Sequence, residues 1–221
     1  MPMLLPYLEA DRLEAGCDEA GRGCLCGPVV AAAVILPKDY ANELINDSKQ
    51  LSGKLRAVLA EEIKMRSLAW AIASASPQEI DEINILNASF LAMSRAVEGL
   101  KIEPEHLLID GNRFKSHLKA TFDCIIGGDG KYASIAAASI LAKVHRDELM
   151  KAYAQEYPGY GWETNFGYPT RQHRQGIQDL GTTLLHRKSF RLLPAQLELE
   201  FPEIHLDSDL MEIEEKFFLD R

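Results

Sequence analysis

Four acidic residues invite chemistry because each lies near glycine: Asp18 and Glu19 between Gly16 and Gly21, Asp110 before Gly111, and Asp129 between Gly128 and Gly130. Glycine lets a backbone approach a ligand closely. Carboxylates drawn together repel by about 4 kcal/mol per pair at 4 Å and an effective dielectric of 20, so a cluster stays ionised only with cations among it. Hard oxygen donors of this kind select Mg2+ or Mn2+. At 221 residues the chain can bury enough surface to fold without a metal, so an ion held there would serve chemistry.

These acids share a site only if the fold gathers distant segments, and the hydrophobic pattern says which. Residues 13–17 lead into Asp18, and residues 28–36 form an unbroken apolar run, a buried strand that Pro37 ends. The two strands are joined by a glycine-rich loop. Leu55, Val58, Leu59 and Ile63 mark an amphipathic helix capped by Ser52, and residues 68–73 suit a third strand. Leu86, Phe90, Met93, Val97 and Leu100 predict a helix ending near Gly99. Residues 106–109 and 122–126 supply two more strands. From Tyr132 to Glu156 there is neither Gly nor Pro, and small side chains fill residues 133–139, so a long helix can pack its backbone tightly on the sheet. Residues 157–169 read as a structured loop, and Thr170 caps a helix holding Ile177 and Leu180. The order predicts one α/β domain with a mixed sheet of five strands flanked by helices over residues 1–192, followed by an acidic helical extension over 193–221.

On this plan all four acids fall where strands stop, which is where sheets place their sites. One geometric objection stands. Successive strand residues point to opposite faces, so Asp18 and Glu19 share a site only if the strand bulges or ends at Glu19.

Composition limits the rest. A content of 47% hydrophobic and 26% charged residues excludes disorder. Four cysteines without a repeated C-x-x-C pair read as reduced thiols of a cytoplasmic protein. The start of the chain lacks a basic flank and no segment reaches membrane-spanning length, which argues against secretion and a membrane partner. The net charge of −9 disfavours a polyanionic partner until its distribution is considered. Nine acids against two bases lie in residues 197–221, leaving −2 for residues 1–196. Arg171, Arg174, Arg187, Lys188 and Arg191 form a basic stretch, so a groove for nucleic-acid phosphates remains allowed.

Six segments now carry a resemblance. Gly16-Cys17-Asp18-Glu19-Ala20-Gly21-Arg22-Gly23, Asp47-Ser48-Lys49-Gln50-Leu51, Ile109-Asp110-Gly111-Asn112, Gly128-Asp129-Gly130-Lys131-Tyr132, Ala137-Ala138-Ser139-Ile140-Leu141-Ala142-Lys143 and Gly167-Tyr168-Pro169-Thr170, in that order, resemble bacterial ribonuclease HII. The resemblance implies a ribonuclease H-like fold. It also implies a two-metal endonuclease that cuts the RNA strand of RNA–DNA hybrids and incises at ribonucleotides embedded in duplex DNA, leaving 5′-phosphate and 3′-hydroxyl ends. Asp18, Glu19, Asp110 and Asp129 would be its metal-binding carboxylates. Asp18 would bridge two Mg2+ or Mn2+ ions, the division of the other three being open. Gly21, Arg22, Gly23 and Tyr168 would read the 2′-hydroxyl, while Lys49 and the Arg171/Arg174 pair suit phosphate contacts. A monomer is expected.

Other motifs are decoys. Gly21, Gly23 and Gly27 lack dinucleotide spacing, and Gly130-Lys131-Tyr132 is no P-loop. His145-Arg146-Asp147 reads as a pairing cluster on a helix surface, and Cys24 and Cys26 have no partners at zinc spacing. Ribonuclease HIII is a rival that resembles a longer chain. A catalytically silent hybrid-binding protein of the same fold is disfavoured because all four acids are present. Because the acidic extension lies outside the resemblance, truncation after Gln196 is expected to leave nuclease activity in a folded protein. Complete loss in a soluble truncation, read by an incision assay, would overturn that expectation.

Overall fold

The computed structural model describes residues 4–42, 44–45 and 51–193. Its core is a five-stranded sheet in the order β3-β2-β1-β4-β5. The strands are β1 (Glu14–Ala20), β2 (Val29–Ile35), β3 (Ala69–Ala75), β4 (His106–Asp110) and β5 (Thr121–Ile125). β1, β2 and β3 pair antiparallel, whereas β4 lies parallel to both β1 and β5. The helices are α1 (Gly53–Arg66), α2 (Pro77–Glu98), α3 (Ala133–Glu156), α4 (Trp162–Asn165) and α5 (Arg171–Leu180). Among the described residues no helix is long and apolar enough to cross a membrane.

β2 is apolar throughout because it is covered on both sides. Val29, Ala31, Ala33 and Ile35 pack with Ala92, Met93 and Ala96 of α2, while Val30, Ala32 and Val34 pack with Leu59 and Ile63 of α1 and Ala136, Ala137 and Ile140 of α3. The predicted caps form: Ser52 accepts the Leu55 N–H at 3.3 Å, and Thr170 accepts the His173 N–H at 3.2 Å. α2 starts earlier than its apolar spacing suggests, at a Ser76/Glu79 capping box with Pro77 in the first turn. It is two helical pieces joined at Asn84, whose φ of 67° breaks the spiral and whose side chain receives the Leu86 N–H at 3.0 Å. Val58, expected on the buried face of α1, is 65% exposed.

The acids at the first strand are placed differently from expectation. β1 does not stop before them but runs through Asp18 and Glu19 to Ala20, in unbroken register with Ala32 and Ala31. The polar pair is carried by its neighbour: the apolar β2 holds that end of β1 in the sheet whatever the polarity of its side chains. His145-Arg146-Asp147 also differs. Only His145 is exposed, while Arg146 and Asp147 are buried, because Arg146 spends its charge on the carbonyls of Cys26, Pro28 and Phe166 at 3.1, 3.1 and 2.8 Å. Lys49 and residues 194–221 of the expected acidic helical extension lie outside the described residues.

The small residues of α3 meet β1 where β1 has no side chain. A Cβ at Gly16 would lie 2.2 Å from the Ser134 carbonyl carbon and 2.3 Å from the Ile135 nitrogen. Both are backbone atoms, so relief requires the helix to move off the sheet. Gly16→Ala is therefore expected to lower the unfolding free energy by about 3 kcal/mol, the upper part of the range for overpacked cores. Urea denaturation measures this, and a change within experimental error would contradict it.

Candidate active site

The parallel pairing of β1 with β4 sets the site. Cys17 is in register with Ile109, and both face the core under α2, so the next residues, Asp18 and Asp110, leave neighbouring strands together on the side of α3. The pairing stops there, because Asp110 is the last residue of β4. Glu19 projects from the opposite face, yet beyond the paired stretch no strand blocks its way round the edge. The objection about opposite faces is thus met by the end of β4 and not by a bulge.

Asp18, Glu19 and Asp110 line one cavity of about 260 Å³, together with Ala20, Gly21, Arg22, Gly23, Ser139, Lys143 and Tyr168. Burial pushes the Asp18 carboxyl well above the usual carboxylate range, and the charges of Glu19 and Asp110 push it further. The Ser139 hydroxyl and the Glu19 N–H, the latter at 2.7 Å, partly oppose this. Glu19 is raised as well, first by burial, against the pull of Arg22, whose Nη1 lies 3.0 Å from its Oε1. Asp129 is buried in a short 3-10 turn, Gly128–Gly130, just ahead of α3. It does not line the cavity, but the preceding residue is tied to it: the Gly128 N–H donates to Asp110 Oδ1 at 2.7 Å. Among the described residues no trio of carboxylates closes to within 4.8 Å.

Tyr168 borders the cavity at 38% exposure, its ring 5.5 Å from Lys143 Nζ. Lys143 also stacks over Phe166 at 4.9 Å and binds Asp147 Oδ1 at 2.6 Å. Ser139 and Lys143 are site residues that single-residue reading passed over. Their signal was the i, i+4 spacing that puts both on one face of α3. The basic stretch is only partly a surface. Arg171 is exposed, whereas Arg174 donates to the carbonyls of Arg191 and Leu192, and neither lines the cavity. Arg187 is wholly buried, because its guanidinium donates to the carbonyls of Gly21, Arg22 and Gly27.

The tightest set of metal-ligating side chains among the described residues is Cys26, His173 and His186, within 4.8 Å. Their hydrogen bonds give another account. The Trp162 indole N–H donates to His173 Nε2 at 2.9 Å, and His173 Nδ1 faces the Tyr168 carbonyl at 3.0 Å. The Thr183 N–H meets His186 Nδ1 at 2.9 Å, which leaves the His186 proton on Nε2, pointing at His173. Both rings are neutral, and burial lowers His186 to about 4. The cluster holds the Tyr168 backbone in place.

An α/β/α sandwich with carboxylates at the ends of adjacent parallel strands, under a helix of small residues, is the architecture of the ribonuclease H class. The solved ribonuclease H2 of Pyrococcus horikoshii matches 81% of this chain and 94% of its own with a TM-score of 0.68 at 26% identity. Ribonuclease HII of Archaeoglobus fulgidus, solved in complex with PCNA, gives 0.67 at 25% identity over 84% of this chain and 98% of its own. The family model of ribonuclease HII matches residues 15–193. Ribonuclease HII of Phocaeicola vulgatus is 60% identical over 200 residues, covering 90% of this chain and all of that protein. The chain belongs to the ribonuclease HII family.

The raised carboxyls of Asp18 and Glu19 fix a pH dependence. Groups that hold their protons above the usual range must release them to a divalent cation, so protons compete with metal more strongly as pH falls. The rise in melting temperature produced by Mn2+ in an EDTA-treated protein is expected to be larger at pH 8 than at pH 6. A pH-independent rise in a thermal-shift titration would rule this out.

Proposed function

We propose that this ribonuclease H-type endonuclease hydrolyses the RNA strand of RNA–DNA hybrids and incises at ribonucleotides embedded in duplex DNA. The observation that carries the reading is one cavity in which three carboxylates meet the Gly21-Arg22-Gly23 backbone and Tyr168. The first group suits cations and the second suits a sugar and phosphate.

The donor set fits divalent metal. Asp18, Glu19 and Asp110 offer hard oxygens, and burial together with their crowding raises the Asp18 carboxyl, a strain that a hard cation relieves. Asp129, linked to Asp110 through Gly128, would complete the set. Divalent Mg2+ or Mn2+ ions held there, two per site, supply the Lewis acidity that activates a water and offsets charge on the departing 3′ oxygen. The protein's own residues do the rest. Ser139 orients Asp18 by a hydrogen bond, and Arg22 steadies Glu19. Amides of the Gly21-Arg22-Gly23 loop bind the ribose 2′-oxygen and its phosphate. The Tyr168 phenol bonds the 2′-hydroxyl, and its ring packs on the adjoining sugar. Arg171 and Lys49 contact phosphates further along the duplex, and Arg174 holds the backbone of Arg191 and Leu192. Cleavage would leave 5′-phosphate and 3′-hydroxyl ends. The protein would act as a cytoplasmic monomer.

The test is a duplex carrying one ribonucleotide, incubated with the protein and Mg2+. Incision at that residue is expected, and Asp110→Asn should reduce it at least about a hundredfold while binding persists, since even outer-shell changes at metal sites cost 10–100-fold. Binding without incision by the native protein would reject hydrolysis and favour a silent hybrid-binding protein.

A further inference from the structure

The loop between β1 and β2 shows one side to the cavity and the other to a buried cation. Arg187 donates from Nη2 to the Gly21 carbonyl at 2.7 Å, from Nη1 to the Arg22 carbonyl at 2.9 Å and from Nε to the Gly27 carbonyl at 3.0 Å. The planar guanidinium spreads three nitrogens in a fixed fork, one to each carbonyl, which the single nitrogen of an ammonium does not do. Its seat is fixed by the Phe190 ring, 5.1 Å from Cζ, and by its own N–H, which donates to the Leu25 carbonyl at 2.9 Å. Arg146 braces the loop beside it, so closely that a Cβ on Gly21 would lie 2.0 Å from Arg146 Nε.

In a trans peptide unit the N–H points opposite to the C=O. Fastening the Gly21 and Arg22 carbonyls inward therefore turns the amides of Arg22 and Gly23 outward. Both residues are exposed and line the cavity, while Gly21 and Cys24 beside them are buried. Among the described residues neither amide donates to a protein acceptor, and no carboxylate forms an ion pair with Arg187. Burial, with Arg146 nearby, lowers Arg187 only to about 10, so it stays charged at neutral pH. Two parallel peptide dipoles with a fixed positive charge behind them form a nest for an anion or an acceptor oxygen.

We propose that Arg187 is a positioning residue for ribonucleotide recognition, setting and polarising the two amides that grip the ribose 2′-oxygen and its neighbouring phosphate. The proposal rests on the reading of the cavity as a ribonucleotide site and names the residue that makes its loop selective.

Arg187→Lys keeps the charge but loses the fork. Fluorescence anisotropy with Ca2+ as the divalent ion compares a duplex carrying one ribonucleotide with the same duplex in all-DNA form. The ratio of the two affinities is expected to fall at least tenfold, all-DNA binding falling by a smaller factor through the shared phosphate contact, with the Mn2+ thermal shift retained. A general structural defect would lower both affinities equally, and that result overturns the proposal, as does an unchanged ratio. If Arg187→Lys does not fold, Phe190→Leu decides, because it removes the ring that seats the guanidinium while keeping an apolar side chain at that position. It should lower the ratio about threefold, and an unchanged ratio there is equally fatal. A native protein without any ribonucleotide preference would instead sink the reading of the cavity itself.

Discussion

The structure is organised around the cost of holding carboxylates side by side out of water. Pairing β1 in parallel with β4 aligns Asp18 with Asp110 and leaves Glu19 at the same edge, and burial raises two of these acids. A flexible scaffold would relax by letting the strands part. This one resists because β1 is clasped on its other side by a fully buried β2 and beneath by α3 at the contact made possible by Gly16. The energy that repulsion would release by spreading the strands is smaller than that of unpacking both layers.

A second expense sits behind the loop. Arg146 and Arg187 are buried next to one another, and carbonyl oxygens rather than acids surround them. Charges buried without counter-ions are unusual, and they persist here because every guanidinium nitrogen has a hydrogen-bond acceptor. They brace the turn at Gly21, whose φ of 96° suits glycine, and they give the cavity wall a positive backing opposite its carboxylates.

Much of this was legible in residue order. The apolar run at residues 28–36, the small-residue helix and the Ser52 and Thr170 caps are local signals, and each became the element it predicts. Of the four candidate acids that neighbouring glycines mark, Asp18, Glu19 and Asp110 meet in one cavity and Asp129 does not line it. What stayed hidden is what depends on partners far along the chain. Nothing local to Asp18 and Glu19 says that β2 will keep them in the strand, and nothing near Arg187 says that its acceptors lie at residues 21–27. Basic residues 171–191 read as a charged surface, yet burial divides them into exposed Arg171, tethering Arg174 and interior Arg187. The His173–His186 contact was silent for the same reason, its spacing matching no metal motif.

The bonds from Arg187 to Gly21 and Arg22 span 166 and 165 residues, nearly the whole length of the domain. On a ribosome adding roughly 5–20 residues per second, the loop therefore waits about ten to thirty seconds between its own emergence and that of its anchor. The strands bearing the carboxylates are all synthesised before that anchor emerges. The segments that form the cutting edge thus leave the ribosome before the residue that fastens the sugar-reading loop.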